Sequence, residues 1–229
     1  MLASLLPDGR NSAFAGKRRG LAKTKWLRRS QTSPMEMLKK GAAKMNWPDG
    51  KPRCHWANPN NKRYLRYHDE EWGVPVFEDQ KLFEMLLLES FQAGLSWECI
   101  LNKREGFREA FNHFEFDRIR LYGEDDLIRL QNDSRIVRHK AKIQAAVINA
   151  CVFYKIREEY GSFANYLWGW TGGKTLREIG CSRSPLSDQI SADLKRRGMK
   201  FVGSVTIYSY LQAVGIINSH ESCCFLSPC

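Results

Sequence analysis

The sequence predicts an all-α fold, on three observations. Beyond residue 78 the apolar residues recur mostly at three- and four-residue steps, the period of a helix face. No alternating apolar and polar run is long enough to propose a strand. The intervening segments hold Gly, Asn, Asp or Pro, which interrupt regular structure. With 229 residues, 43% of them hydrophobic, the chain can bury a sizeable core as one compact unit or two tightly joined lobes. It has no apolar run of transmembrane length, so a bilayer-spanning role is excluded.

In chain order, residues 1–50 read as a basic, disordered extension. Residues 1–44 carry eleven Lys or Arg against Asp8 and Glu36, leaving 25 basic and 23 acidic residues for the remainder. Few apolar residues fall there in any periodic order. The Arg and Ser content would also suit an organelle transit peptide, and Met35 and Met45 leave a later translation start open. The body, 51–229, is nearly neutral, so nucleic-acid contact is expected through a local patch rather than a global field. Seven scattered cysteines do not form the dense framework of a small secreted domain. A reducing compartment follows, the cytoplasm by default or an organelle if the extension is a transit peptide.

Residues 46–62, with Pro48, Pro52 and Pro59, read as an irregular lead-in. Residues 79–93 place Leu82, Met85, Leu86 and Ala93 on one helical stripe, with Asp79 as N-cap and Gly94 as the stop. Further helical patterns cover 97–101, 104–111, 116–120, 124–130, 138–159, 163–168, 186–196 and 205–213, the fifth of them with room for a break near its end.

Two acids on the 79–93 helix differ by position. Glu89 lies seven residues after Leu82, four after Met85 and three after Leu86, inside the apolar stripe, whereas Glu84 falls outside it. A buried carboxylate needs a partner, which is either a cationic ligand or a core Arg or Lys. Tyr67, Trp72 and Trp97 read equally as core or as the walls of a pocket.

Cys54 and His68 near one end of the body, and His220 and Cys224 with Cys223 beside it near the other, supply a Cys2His2 set suited to closed, tetrahedral structural zinc. The four-residue step from His220 to Cys224 would aim both at one point within a helical turn. Spacing alone leaves them equally readable as ordinary buried cysteines and surface histidines. A real site would staple the chain's two ends.

The last two helical patterns are joined by Arg197-Gly198-Met199-Lys200-Phe201-Val202-Gly203-Ser204. Gly198 and Gly203 permit a turn whose backbone N–H groups approach an anion, and the following helix adds its positive dipole end. Lys195, Arg196, Arg197 and Lys200 concentrate cations at this turn, the layout of a helix-hairpin-helix grip on DNA phosphates.

The segments Arg53-Cys54-His55-Trp56, Tyr67-His68-Asp69-Glu70-Glu71-Trp72-Gly73-Val74-Pro75, 88–97, 136–143 and 197–203 together closely resemble the 3-methyladenine DNA glycosylase I family over about residues 53–224. The resemblance implies a compact helical glycosylase fold with a helix-hairpin-helix element and a zinc clasp of Cys54, His68, His220 and Cys224. It implies Glu89 as the acid that recognises the damaged base, Tyr67 and Trp97 as its aromatic pocket with Trp72 beside them, and Gln92 as a further pocket residue. One departure is Ser219, where the family commonly has Asp; if that Asp orients the zinc-binding His, the clasp here holds metal more weakly. The expected activity is hydrolysis of the N-glycosidic bond of alkylated purines, chiefly 3-methyladenine, in double-stranded DNA, by a monomer without strand cleavage. A non-catalytic damaged-DNA binder and a zinc-stabilised interaction domain are the competing functions, separated from it by base release and by salt-dependent DNA affinity.

Overall fold

The computed structural model describes Trp47 and residues 49–227. The extension expected over 1–50 therefore lies, up to residue 46, outside the described residues. After an irregular stretch, α1 (Lys62–Glu70) begins on the Asn61 side chain, which accepts hydrogen bonds from the Arg63 and Tyr64 amides. Periodicity was expected to begin only at Asp79, so α1 is an addition. Its buried residues are Tyr67 and His68, with Tyr64 and Leu65 half-buried, so the inward face is aromatic and polar with a single aliphatic side chain.

Next come α2 (Asp79–Gln92) and α3 (Trp97–Ala110). The two short patterns predicted at 97–101 and 104–111 are thus one helix. Gly106 permits its course there, because a Cβ would stand 2.7 Å from Arg135 Cβ and 2.8 Å from the Arg135 carbonyl oxygen. A 3-10 turn at Asn112–Phe114 leads to α4 (Phe116–Ile119), α5 (Glu124–Asn132) and α6 (Lys140–Tyr160), which is unbroken and stopped by left-handed Gly161. Then follow α7 (Phe163–Gly169), β1 (Leu176–Arg177), α8 (Pro185–Arg196), α9 (Ser204–Ala213) and β2 (Ile217–Asn218).

The fold is mostly helical, as expected, with one small addition. Parallel β1 and β2 pair Leu176 with Ile217 and Arg177 with Asn218, a ladder too short for any alternation to announce. None of the described helices is long and apolar enough to cross a membrane.

Helix α2 is the axis of the core. Residues Leu82 to Phe91 are all buried, so the predicted stripe is really a helix enclosed on every side, packed against α3, α6, α7 and α9. The N-cap of α2 is Glu78, and Asp79 serves another helix. Its two carboxylate oxygens accept from the Phe163 and Ala164 amides at 3.0 and 2.9 Å, at the start of α7. Gly215, at φ +75°, lies against Val74 and Pro75 so closely that a Cβ would meet backbone atoms at 2.4 Å. This contact seats the end of α9 beside the loop that follows α1.

Candidate active site and metal cluster

Glu89 projects from the last two turns of α2, Tyr67 from α1, and Trp97 opens α3 behind the Ser96 cap, whose hydroxyl accepts from the Cys99 amide. The Tyr67 and Trp97 rings lie 5.3 Å apart at 56°, and after burial the Glu89 charge is the strongest influence on the Tyr67 hydroxyl. Burial pushes the Tyr67 hydroxyl well above its ordinary range. Tyr64, one turn before Tyr67, feels burial first and then the charges of Glu98 and Glu89. Sequence reasoning missed it along with α1; the step of three from Tyr67 was the available signal.

Glu89 is 3% exposed, and its Oε2 has no hydrogen-bond partner. Among the described residues no Arg or Lys pairs with it, and burial alone pushes its carboxyl up to about 8. Trp97 Nε1 is also buried without a partner. Glu89 thus leaves an acceptor and Trp97 a donor unsatisfied, polar atoms of the kind a planar polar ligand would engage. Gln92, the last residue of α2, is half-buried, and residues 93–96 after it are exposed.

Two expectations need correction. Glu84 is buried, 4% exposed, and not on a free face: it pairs with Arg104 at 2.8 Å, Lys81 at 3.1 Å and Arg108 at 3.2 Å. Burial opposes its ionisation, but Arg104 and Lys81 hold the carboxyl below its usual range. Trp72, grouped with the base-binding aromatics, has its ring contacts elsewhere. It meets Trp56 and His220 at 4.7 Å and His68 at 6.3 Å.

That second neighbourhood is the cysteine and histidine cluster. Cys54, His68, His220 and Cys224 are all buried, with donor atoms within 4.8 Å of one another. Cys54 Sγ lies 3.6 Å and Cys224 Sγ 3.5 Å from His220 Nδ1, and Cys224 Sγ lies 3.6 Å from His68 Nε2. Zinc–sulfur and zinc–nitrogen bonds of about 2.3 and 2.0 Å at the tetrahedral angle would separate S and N by roughly 3.5 Å, so the set fits one such ion. Burial lowers the proton affinity of both imidazoles, that of His220 to about 4, and keeps them neutral as ligands must be. Residues 220–224 form turns rather than the helical turn anticipated, with the Cys224 amide donating to the Glu221 carbonyl at 2.8 Å. Cys223 is exposed and outside the set.

The histidines are aimed by their second nitrogens. His68 Nδ1 meets Asp69 Oδ1 at 2.8 Å, and Arg53 in turn holds Asp69 at 2.6 to 3.1 Å. His220 Nε2 lies 3.1 Å from the Trp72 carbonyl oxygen, leaving Nδ1 to face the sulfurs. A backbone carbonyl thus orients His220, so Ser219 in place of Asp does not leave it unsupported. Ser219 Oγ instead accepts from Gln212 Nε2.

Helices α8 and α9 pack together around the turn 197–203. Gly198 has φ +105°, Gly203 caps α9, and Phe201 takes φ +54°, rare for a bulky residue. Lys195, Arg196 and Lys200 are exposed. Arg197 differs from them. It pairs with Asp193 at 2.7 Å and Glu159 at 2.5 Å and lies over the Tyr160 and Tyr166 rings, so its charge is spent inside the fold. Arg196 also contacts Asp193.

The methyladenine glycosylase family model matches residues 56–227. DNA-3-methyladenine glycosylase 1 of Escherichia coli K12 is 41% identical over 182 residues, 76% of this chain and 96% of that protein. The DNA-3-methyladenine glycosylase of Haemophilus influenzae is 36% identical, covering 77% of this chain and 97% of its own length. The Staphylococcus aureus 3-methyladenine DNA glycosylase I, solved for the structural basis of 3-methyladenine recognition, superposes with a TM-score of 0.72 at 38% identity, covering 74% of this chain and 94% of that one. On sequence and fold together, this chain belongs to the methyladenine glycosylase family.

Proposed function

We propose that this methyladenine glycosylase excises 3-methyladenine from alkylated double-stranded DNA by sorting bases on charge at Glu89. The observation that carries the reading is the Glu89 carboxyl, buried with Oε2 unpartnered and within electrostatic reach of Tyr67, whose ring meets that of Trp97. In DNA, 3-methyladenine bears a positive charge and is already a good leaving group, so the protein's task is mainly selection. Extruding the nucleotide costs a few kcal/mol, offset by stacking of about 1–3 kcal/mol per base–aromatic contact. The cation strengthens attraction to the Tyr67 and Trp97 rings, and Glu89 accepts a hydrogen bond from the base's exchangeable edge. Neutral adenine gains neither term in full. Water then attacks the anomeric carbon through an oxocarbenium-like state. The glycosidic electron pair leaves with the base, which departs neutral, and the water's second proton passes to solvent.

The rest of the chain supports a hydrolase confined to labile bonds. No Asp follows Asp193, and Glu221, the only later acid, is engaged by the His55 amide at 3.0 Å. Lys142 is the buried amine nearest in kind to a Schiff-base nucleophile. Its ammonium donates to the Phe91 and Ala93 carbonyls at 2.7 and 2.6 Å, which favours a monofunctional enzyme without strand cleavage. The α8–α9 turn acts as the helix-hairpin-helix grip on phosphate, with Lys195, Arg196 and Lys200 as its cations and Gly198 and Gly203 admitting the backbone. Cys54, His68, His220 and Cys224 hold a structural zinc, whose bonds supply crosslinking rather than chemistry, since four protein ligands leave no open position. The enzyme acts as a monomer.

The test is chromatography of bases released from methylated duplex by the purified chain. Free 3-methyladenine and an intact, abasic strand are expected. Binding of methylated duplex with no base released would make the protein a damage binder instead.

A further inference from the structure

On its inner face α6 carries two polar side chains seven residues apart, Lys142 and Asn149, both buried. They reach opposite parts of the site. Lys142 Nζ donates to the Phe91 and Ala93 carbonyls at the end of α2, the helix of Glu89 and Gln92. Asn149 clamps a single residue of the phosphate turn: its Oδ1 accepts from the Lys200 amide at 2.8 Å and its Nδ2 donates to the Lys200 carbonyl at 2.9 Å. Between the two lies a cavity of about 10 Å³, lined also by Ser90 and Ala146. The Lys142 ammonium sits 5.9 Å from the Phe201 ring, and the His139 cap of α6 lies 6.3 Å from the same ring.

We infer that Lys142 and Asn149 are positioning residues that tie the end of the Glu89 helix and the phosphate turn to one rigid rod, α6, and so fix the distance between base and backbone. The chemistry fits this role. The last carbonyls of a helix lack intrahelical donors and sit at its negative end, so an ammonium is the complement they take. An isolated buried ammonium is otherwise unfavourable, and burial alone lowers this one's proton affinity. The bidentate amide grip on Lys200 holds the residue just before Phe201, whose left-handed backbone needs external support. Ser191 Oγ donates to the Val202 carbonyl at 2.7 Å and secures the far side of the same turn. A base and its phosphates are joined covalently, so slack of a fraction of an ångström between the two grips lowers the rate.

The inference rests on the glycosylase reading for its consequence in turnover but not for its structural content, and the experiment separates them. Amide hydrogen exchange is followed in the full-length chain without ligand, for Lys142→Met, Lys142→Arg, Asn149→Ala and Asn149→Ser. Loss of one such hydrogen-bonded support is expected to speed local exchange about tenfold. Lys142→Met should do so at 93–96 and leave 198–203 within about twofold, and Asn149→Ala should do the reverse. Arg at 142 should restore most protection, and Ser at 149, too short to span Lys200, should not. On DNA, Asn149→Ala should lower kcat and also weaken affinity for unmodified duplex, whereas Lys142→Met should lower kcat with duplex affinity kept. Parallel loss of protection in both segments, scaling with Tm, or no change in either, overturns the inference. Split exchange without base release by the unsubstituted chain leaves it standing and overturns the glycosylase reading.

Discussion

Glu89 and Glu84 sit five residues apart on one helix, both nearly inaccessible to water, and titrate in opposite directions. Among the described residues three cations surround Glu84 and none meets Glu89. Burial keeps Glu89 protonated up to about pH 8 in the folded chain, while the unfolded chain ionises it near 4.5. The folded state therefore binds the extra proton between those values, and stability falls as pH rises from about 4.5 to 8. Glu89→Gln removes that dependence, so its Tm advantage over the unsubstituted chain should widen from pH 5 to pH 8, reaching at most a few kcal/mol. The same substitution should lower 3-methyladenine release on the order of a hundredfold. Because the cationic base pairs with the ionised carboxyl, kcat/KM of the unsubstituted chain should climb with pH towards 8. Thermal melts and base-release rates across this range check all three; a flat profile with no gain in Tm would remove the role given to Glu89. Its place on the apolar stripe was legible from spacing to Leu82, Met85 and Leu86. The burial of Glu84 was not, because a helical period marks one buried face and cannot tell when the opposite face is covered too. Trp72 shows the same limit for aromatics: nearness in sequence to Tyr67 did not say that its ring turns to His220.

At the level of elements, the α8–α9 pair separates cations that composition had grouped. Lys200→Ala should weaken duplex affinity and reduce the slope of log affinity against log salt by roughly 0.9, one phosphate's worth. Arg197→Ala should leave that slope unchanged and lower Tm, since its guanidinium serves Asp193 and Glu159. Titrations of both variants at several salt concentrations decide between contact and scaffold. Gly215→Ala is expected to be the harsher change, several kcal/mol, because Val74 and Pro75 backbone atoms occupy the place of its Cβ; thermal or denaturant unfolding reads it. Most helices were readable because aliphatic residues repeat at helical steps and Gly94 punctuates them. Helix α1 was not, since its buried face is made of Tyr67 and His68 with no aliphatic stripe. Asp79 was expected to cap its own helix and does not: it accepts from the first amides of α7, which starts 84 residues later, and only the tertiary fold brings them there.

For the molecule as a whole, the cluster of Cys54, His68, His220 and Cys224 connects segments more than 150 residues apart. Spacing offered the four residues and left them open, the family resemblance selected them, and burial separates Cys224 from exposed Cys223. Chelation of a bound metal, or Cys224→Ser, should lower Tm by several degrees with secondary structure retained, and Cys223→Ser should not. Metal content by mass spectrometry of the same samples ties the two effects together. Loop closure over so long a span is the reason to expect a stabilisation larger than a local pair of ligands would provide. The ribosome makes these four side chains in two widely separated instalments. Cys54 and His68 emerge first, and the set of four is complete only once Cys224 has been made. A polypeptide cut short anywhere before Cys224 lacks one of the four, so under the zinc reading it should hold the ion less tightly than a chain that contains them all.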